Sequence, residues 1–277
     1  DPLTEQKAVS GTVSLIGSDF TLDESSDIRR ILRTTGYTLK ELPGCRTWEE
    51  YQQLGTGELL ISCYPQAKYG ADILAERLKR QHLYLPGSFD YGEIKEEIQS
   101  LVHALRIEKN VLSDDLEAFF EREITLCEDT FRHTKTVIGD TPIVLDYLFH
   151  PRPLGLAKIL LEHEFQVTAV YLDSISPEEK STFDLLKTYH PGLELRATIQ
   201  AKMRVLPRNS ETRTLAIGQK AAWFSGSRNF VNMVQGGGLW GFDGIRRTLE
   251  LMTEAFLKEK DPRDLIVRKG WGCESCI

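Results

Sequence analysis

Short apolar runs rich in Val, Ile and Leu alternate along the chain with longer stretches whose apolar positions recur every three or four residues, a pattern that predicts strands separated by helices. Val13 to Gly17 reads as a strand, and Ser25 to Thr35 as a helix with Ile28, Ile31 and Leu32 on one face and Gly36 as its stop. Tyr37 to Leu42 is the next strand, closed by Pro43 and Gly44. A helix over Trp48 to Leu54, a strand over Leu59 to Cys63, a helix over Gln66 to Arg80, a strand over Leu83 to Leu85 and a helix over Tyr91 to Leu105 continue the series. Helices of this length between strands imply right-handed crossovers and a parallel sheet covered on both faces.

A long helix over Leu112 to Thr134, with Leu116, Phe119, Phe120, Ile124, Cys127 and Phe131 near one stripe, reads as a bridge. A second series follows Gly139, with strands at Ile143 to Leu148, Gln166 to Leu172, Leu193 to Ile199, Thr214 to Ile217 and Ala221 to Phe224. Its helices fall at Pro153 to Glu164, Pro177 to Tyr189 and about Phe242 to Lys258. The expected fold class is therefore α/β, with two Rossmann-like parallel-sheet domains over residues 1–110 and 139–277 and a bridging helix over 111–138. A length of 277 residues agrees with two domains. Ligands of such sheets sit outside the carboxyl ends of the strands, so the loops after each strand are where chemistry is sought.

Charge narrows the function classes. The chain has 34 Lys and Arg against 41 Asp and Glu, a formal charge of −7, and no basic block interleaved with aromatics, which argues against a nucleic-acid groove. No run approaches the roughly 18 uninterrupted apolar residues of a membrane span. Asp1-Pro2-Leu3-Thr4 has neither the basic nor the apolar region of a secretory signal, so a cytoplasmic protein without a membrane partner is expected. The Met residues are Met203, Met233 and Met252, so the chain is expected to be a processed product or a cut piece. Five Cys is an odd, low number that disfavours a disulfide framework and leaves thiol chemistry open.

Four places carry candidate chemistry. Cys63 ends the apolar run Leu59-Leu60-Ile61-Ser62 and is followed by Tyr64 and Pro65; a thiol there either ligates a soft metal or iron–sulfur cluster as thiolate, or fills the core as a small hydrophobe. His150 holds the matching place in the second domain, with Pro151 and Pro153 stiffening the turn around Arg152. The segment Gln235-Gly236-Gly237-Gly238-Leu239-Trp240-Gly241-Phe242-Asp243-Gly244 formally contains G-x-G-x-x-G, but no strand and ribose-binding acid follow its helix, which argues against a dinucleotide site. It permits close approach of backbone to a bulky ligand or another subunit, or is a flexible turn. Cys273 and Cys276 form a single C-x-x-C, half of a metal site. The remaining histidines lack H-x-x-x-H spacing, so no zinc site is suggested.

Together these residues resemble the nitrogenase component 1 family: iron-molybdenum protein subunits, their cofactor-assembly scaffolds and the dark-operative tetrapyrrole reductases. The resemblance runs from about Gly11 to about Glu254 and is carried by Leu60-Ile61-Ser62-Cys63-Tyr64, Pro151-Arg152-Pro153-Leu154 and Gly238-Leu239-Trp240-Gly241-Phe242-Asp243-Gly244-Ile245. It implies Rossmann-like domains of the nitrogenase component 1 type facing a shared cleft, with Cys63 as the metal ligand of an iron–sulfur type metallocofactor. Tyr64, His150, Arg152, Gly236, Gly237, Gly238 and Trp240 are then expected to contact the same cofactor.

Two departures matter. Trp240 stands where the iron-molybdenum protein has its cofactor-ligating His, and His150 where that protein has an Arg, so the resemblance also admits an assembly scaffold, a nitrogenase-like homologue or a tetrapyrrole reductase in which Trp240 stacks on the organic ligand. It further implies a homologous subunit and an iron-protein-type, ATP-dependent reductase as partners. The family's first domain has no counterpart here, so this chain alone is not expected to complete an electron path. The readings left open are a redox or cofactor-assembly subunit, a tetrapyrrole-reductase-type subunit, and a non-catalytic partner of a catalytic paralogue.

Overall fold

The computed structural model describes residues 3, 5–105, 116–206, 212–262 and 265. The chain divides into two compact units, the first comprising Asp1–Cys127 and Gly237–Ile245, the second Glu128–Gly236 and Arg246–Ile277. Each contains one parallel sheet.

The first unit begins with β1 (Val9–Leu15), α1 (Asp27–Thr34), β2 (Thr38–Glu41), α2 (Trp48–Gln52) and β3 (Gly57–Ser62). It continues through α3 (Pro65–Leu78), β4 (Gln81–Tyr84) and α4 (Tyr91–Ala104). The strands pair in the order β2-β1-β3-β4, all parallel. β3 lies inside the sheet, and Leu59, Leu60, Ile61 and Ser62 are all buried, as a strand covered on both faces requires. Local signals set the helix starts. Thr47 and Glu50 form a capping box for α2, Pro65 occupies the first turn of α3, and the Asp90 carboxylate accepts the Gly92 and Glu93 N–H groups of α4. Leu54, Leu60, Leu74 and Ala75 form part of the core.

Helix α5 (Leu116–Ile138) carries the chain from the first unit into the second, which holds β5 (Ile143–Asp146), α6 (Pro153–Glu162), β6 (Val167–Tyr171), α7 (Lys180–Tyr189) and β7 (Glu194–Arg196). β8 (Leu215–Ile217), α8 (Gln219–Ser225) and β9 (Asn229–Val231) follow, and α9 (Gly241–Leu257) begins in the first unit and ends in the second. The strand order is β7-β6-β5-β8-β9, again all parallel. Val144, Ala169, Tyr171, Ala216, Ala221, Ala222 and Phe230 share one core cluster.

One element differs from the sequence expectation. Ala221 to Phe224 is not the last strand but part of α8, and the last strand is β9. A short buried apolar run has no periodicity that separates strand from helix. Here Ala221 and Ala222 are wholly buried, and the buried Asp146 carboxylate accepts the Ala221 N–H at 2.6 Å, which fixes a helix start. Among the described residues no helix is long and apolar enough to cross a membrane.

Candidate functional site

A parallel sheet opens a crevice where successive connections leave a strand pair in opposite directions. In the first unit that point lies between β1 and β3, and Cys63 and Tyr64 are the two residues that follow β3. In the second it lies between β5 and β8, followed by Tyr147 to His150 and by Gly218 to Lys220.

Cys63 is a free thiol, 8% exposed. Burial, reinforced by the carboxylates of Glu97 and Glu41, drives its ionisation well above the usual thiol range, so the resting group is a thiol and a metal would have to displace its proton. Burial also pushes the Tyr64 hydroxyl up to about 12, with Cys63 adding to the shift and a hydrogen bond with Ser18 opposing it. Trp240 belongs to the same unit and is 3% exposed; its Nε1–H donates to the Leu85 carbonyl at 3.3 Å, while the Leu85 N–H donates to the Ser62 carbonyl at 2.8 Å. The indole is thus hydrogen-bonded beside the ends of β3 and β4. Gly238 is tied to the loop before α1, its carbonyl accepting the Asp23 N–H at 2.9 Å.

Ser62, His82 and Asp72 are hydrogen-bonded in series, at 2.8 Å from Ser62 Oγ to His82 Nε2 and 2.6 Å from His82 Nδ1 to Asp72 Oδ1. A hydrolase would use these groups in that order. Ser62 is completely buried, however, so the series satisfies a core hydroxyl and offers no accessible nucleophile.

The Gly-Phe-Asp-Gly stretch also proves to be anchored from within the first unit. The fully buried Asp27 carboxylate accepts the Phe242 N–H at 2.6 Å and the Asp243 N–H at 3.4 Å at the start of α9, and it pairs with Arg30. Arg30 reaches Glu123 at 3.1 Å. Burial holds Asp27 up at about 6 despite Arg30.

In the second unit, β5 ends on Asp146, which is 1% exposed. One carboxylate oxygen accepts the Leu148 and Phe149 N–H groups at 2.8 and 3.0 Å; the other accepts that of Ala221, and the Lys220 N–H also donates to the carboxylate. Burial raises its pKa to about 6, with these donors opposing the shift. Gly218 makes the geometry possible. Its φ is +110°, and a Cβ there would lie 2.4 Å from Asp146 Oδ2.

Asp146 thereby shapes the turn that delivers His150. The Nδ1 of this partly buried ring accepts the Arg152 N–H at 3.0 Å, so the neutral imidazole carries its proton on Nε2. Burial, with Arg152 adding to it, depresses His150 to about 3, and the ring stays neutral through the physiological range. Nδ1 is engaged and Nε2 protonated, which suits His150 to donating a hydrogen bond rather than to binding a metal. Arg152 is 5% exposed and faces Glu179, whose buried carboxylate accepts the Gly155 N–H at 2.8 Å and is raised by burial to about 7.

The glycine segment splits between the units. Gly236, in the second, closes on this turn: the Gln235 and Gly236 N–H groups donate to the Leu148 and Phe149 carbonyls at 2.6 and 2.5 Å. Gly236 has φ +69°, and a Cβ there would meet His150 Cδ2 at 3.0 Å. Gly237 and Gly238 belong to the first unit.

The structure therefore groups Cys63, Tyr64, Gly237, Gly238 and Trp240 in one unit and His150, Arg152 and Gly236 in the other. Among the described residues, no three His, Cys, Asp or Glu side chains are arranged to hold a metal ion. Among the described residues the free thiols are Cys45, Cys63 and Cys127, and of these Cys63 directly follows a strand at its sheet's reversal point. Cys273 and Cys276 lie outside the described residues. Asp27, Asp146 and Glu179 escaped the sequence reading, although each acid stands beside a strand end or helix start, the one signal that could have flagged them.

No protein-family model matches the sequence, and no curated protein matches it. Among solved structures, the chain is similar to "Nitrogenase Cp1 at pH 6.5", at 14% identity and TM-score 0.58 over 90% of this chain and 60% of that one. It is also similar to "Nitrogenase Cp1 at pH 5", at 14% identity and TM-score 0.59 over 90% of this chain and 57% of that one. The chain thus spans about 60% of the length of these structures, and what it shares with them is a nitrogenase-component-1-like α/β fold.

Proposed function

We propose that this chain is the carboxyl-terminal portion of a nitrogenase-component-1-like subunit that holds an iron–sulfur type metallocofactor through Cys63. The observation that carries the reading is the position of Cys63, at the carboxyl end of β3 beside the β1–β3 reversal, in a fold shared with nitrogenase structures. A bound cluster supplies low-potential electrons. The residues of the first unit would hold it through the Cys63 thiolate, with Tyr64 and Trp240 keeping water away. A homologous subunit and an iron-protein-type, ATP-dependent reductase complete the proposed assembly, in which the chain serves as an oxidoreductase or cofactor-assembly subunit.

The test is iron and acid-labile sulfide per chain after anaerobic purification. Iron in the wild type and its loss in Cys63→Ser, with retention in a Cys273→Ser, Cys276→Ser double variant, is the expected result. Iron unchanged in Cys63→Ser refutes the anchor. One observation favours a second reading, a tetrapyrrole-reductase-type subunit: Cys63 is the single suitable thiol in its loop and is driven to its protonated form. That reading expects no iron and an organic chromophore that copurifies with the assembled complex.

A further inference from the structure

Between α7 and β7 the second unit leaves an apolar cavity of about 240 Å³. β7 is the edge of its sheet, so no further strand shields it. Leu193, just before β7, and Leu195, within it, are two positions apart and therefore on one face of the sheet, and both line the cavity. Facing them, Phe183, Leu186, Lys187 and His190 recur at helical spacing along α7 and its carboxyl cap. Leu154 of α6, the helix on which α7 packs, is wholly buried and also lines the cavity. The turn that joins α7 to β7 is fixed: Pro191 and Gly192 fill its two central positions, and the Leu193 N–H donates to the His190 carbonyl at 2.9 Å.

The chemistry of the lining is one-sided. It carries no carboxylate, hydroxyl or thiol, and its polar side chains are Lys187 and His190. Among the described residues neither of these side chains has a hydrogen-bond or ion-pair partner. Asp184, one turn before Lys187, is exposed and does not line the cavity. Leu195 is 41% exposed, so part of the apolar wall still faces solvent, and covering it with hydrocarbon is favourable. Two nitrogen donors beside an apolar hollow suit a ligand with an anionic head and a hydrocarbon body, and the single fixed charge of Lys187 suits a single negative charge. Size sets the class further. A cavity of about 150 Å³ lined by Leu, Ile and Phe takes up benzene, so this one has room for about ten non-hydrogen atoms. It is far too small to be a stable protein interface, which needs about 1,000 Å² of buried surface.

We propose that this cavity binds a small apolar monocarboxylate, with the hydrocarbon body between α7 and β7 and the carboxylate on Lys187 and His190. The ligand is held rather than converted, because the cavity lies at the outer edge of the sheet, two strands from the β5–β8 reversal. Its effect is to fasten α7 to an otherwise uncovered edge strand. The site lies wholly within the second unit and does not depend on the metallocofactor reading.

The test is an NMR titration of the intact chain carrying carbon-13-labelled leucine methyl groups. The probes are phenylpropanoate and phenylpropylamine, which share a ring and a chain length but carry opposite charges. Phenylpropanoate should shift the methyl signals of Leu186, Leu193 and Leu195, leave that of Leu60 in the first unit in place, and reach half-saturation at or below about 1 mM. The amine should bind at least about tenfold more weakly, and Lys187→Met should weaken phenylpropanoate about fivefold while leaving the amine no weaker. The comparison of the two probes on the wild type needs no variant to fold. Absence of saturation, or equal binding of acid and amine, overturns the proposal, as does unchanged phenylpropanoate affinity in a folded Lys187→Met. So does a shift of the same methyl signals with protein concentration alone, accompanied by a dimer in sedimentation velocity, which would show that a second copy covers this face.

Discussion

Replacing Asp146 by Asn is the sharpest probe of how the second unit builds the turn before His150. The carboxylate accepts N–H groups from Leu148, Phe149, Ala221 and Lys220 on two loops. Asn keeps the shape but turns one oxygen into an NH2 group that faces an N–H donor, leaving at least one buried donor without a partner, a loss of about 1–3 kcal/mol. Its dependence on pH is more telling. Burial raises Asp146 from 3.8 to about 6, so the folded state binds more protons than the unfolded state between those values. Stability from this group is therefore fully present below about 3.8 and lost as pH rises through about 6. Across two pH units, at about 1.4 kcal/mol each, this amounts to about 3 kcal/mol. Asn cannot titrate. The gap between wild type and Asp146→Asn should thus widen by about 3 kcal/mol as pH falls from 7 to 4, read from urea unfolding with hydrogen exchange of the Ala221 and Phe149 amides as the local check. A gap that narrows toward pH 4 would mean that the N–H donors outweigh burial, and the account of this carboxylate would be wrong.

His150 should behave in the opposite sense. Its folded pKa of about 3 lies below the ordinary imidazole value of 6.5, so its contribution is complete above 6.5 and is lost as pH falls toward 3; ring carbon NMR shifts that titrate near 6.5 in the folded chain would contradict this. Gly236→Ala combines a left-handed φ with a 3.0 Å approach to His150 and should cost about 1–3 kcal/mol, a figure that an unchanged melting curve would rule out. Cys63, buried and held as a thiol, should resist iodoacetamide at pH 8 while the more accessible Cys45 reacts; equal rates at the two sites would show that Cys63 is open.

The strand and helix series was legible because buried parallel strands are short apolar runs and the helices between them announce their ends, as Pro65 and Gly36 do. The alternation likewise put Cys63 directly after a strand and His150 in the turn that follows one. Acids such as Asp146 and Asp27 were not legible. In the chain they look like solvated turn residues, and their burial arises only when N–H groups from distant segments converge on them, Ala221 for the one and Phe242 for the other. Ala221 to Phe224 misled for a related reason: small apolar residues fill either kind of buried element, and here a carboxylate 75 residues away decides which.

The segment Gly237–Ile245 belongs to the first unit although the sequence on both sides of it belongs to the second. The backbone therefore passes between units three times: after Cys127, after Gly236 and after Ile245. During synthesis Asp27 must wait for Phe242, 215 positions later, before its carboxylate finds those N–H groups, so the unit that is translated first is finished near the end. No single cut can excise it intact, and recombination at one breakpoint cannot transplant it into another protein.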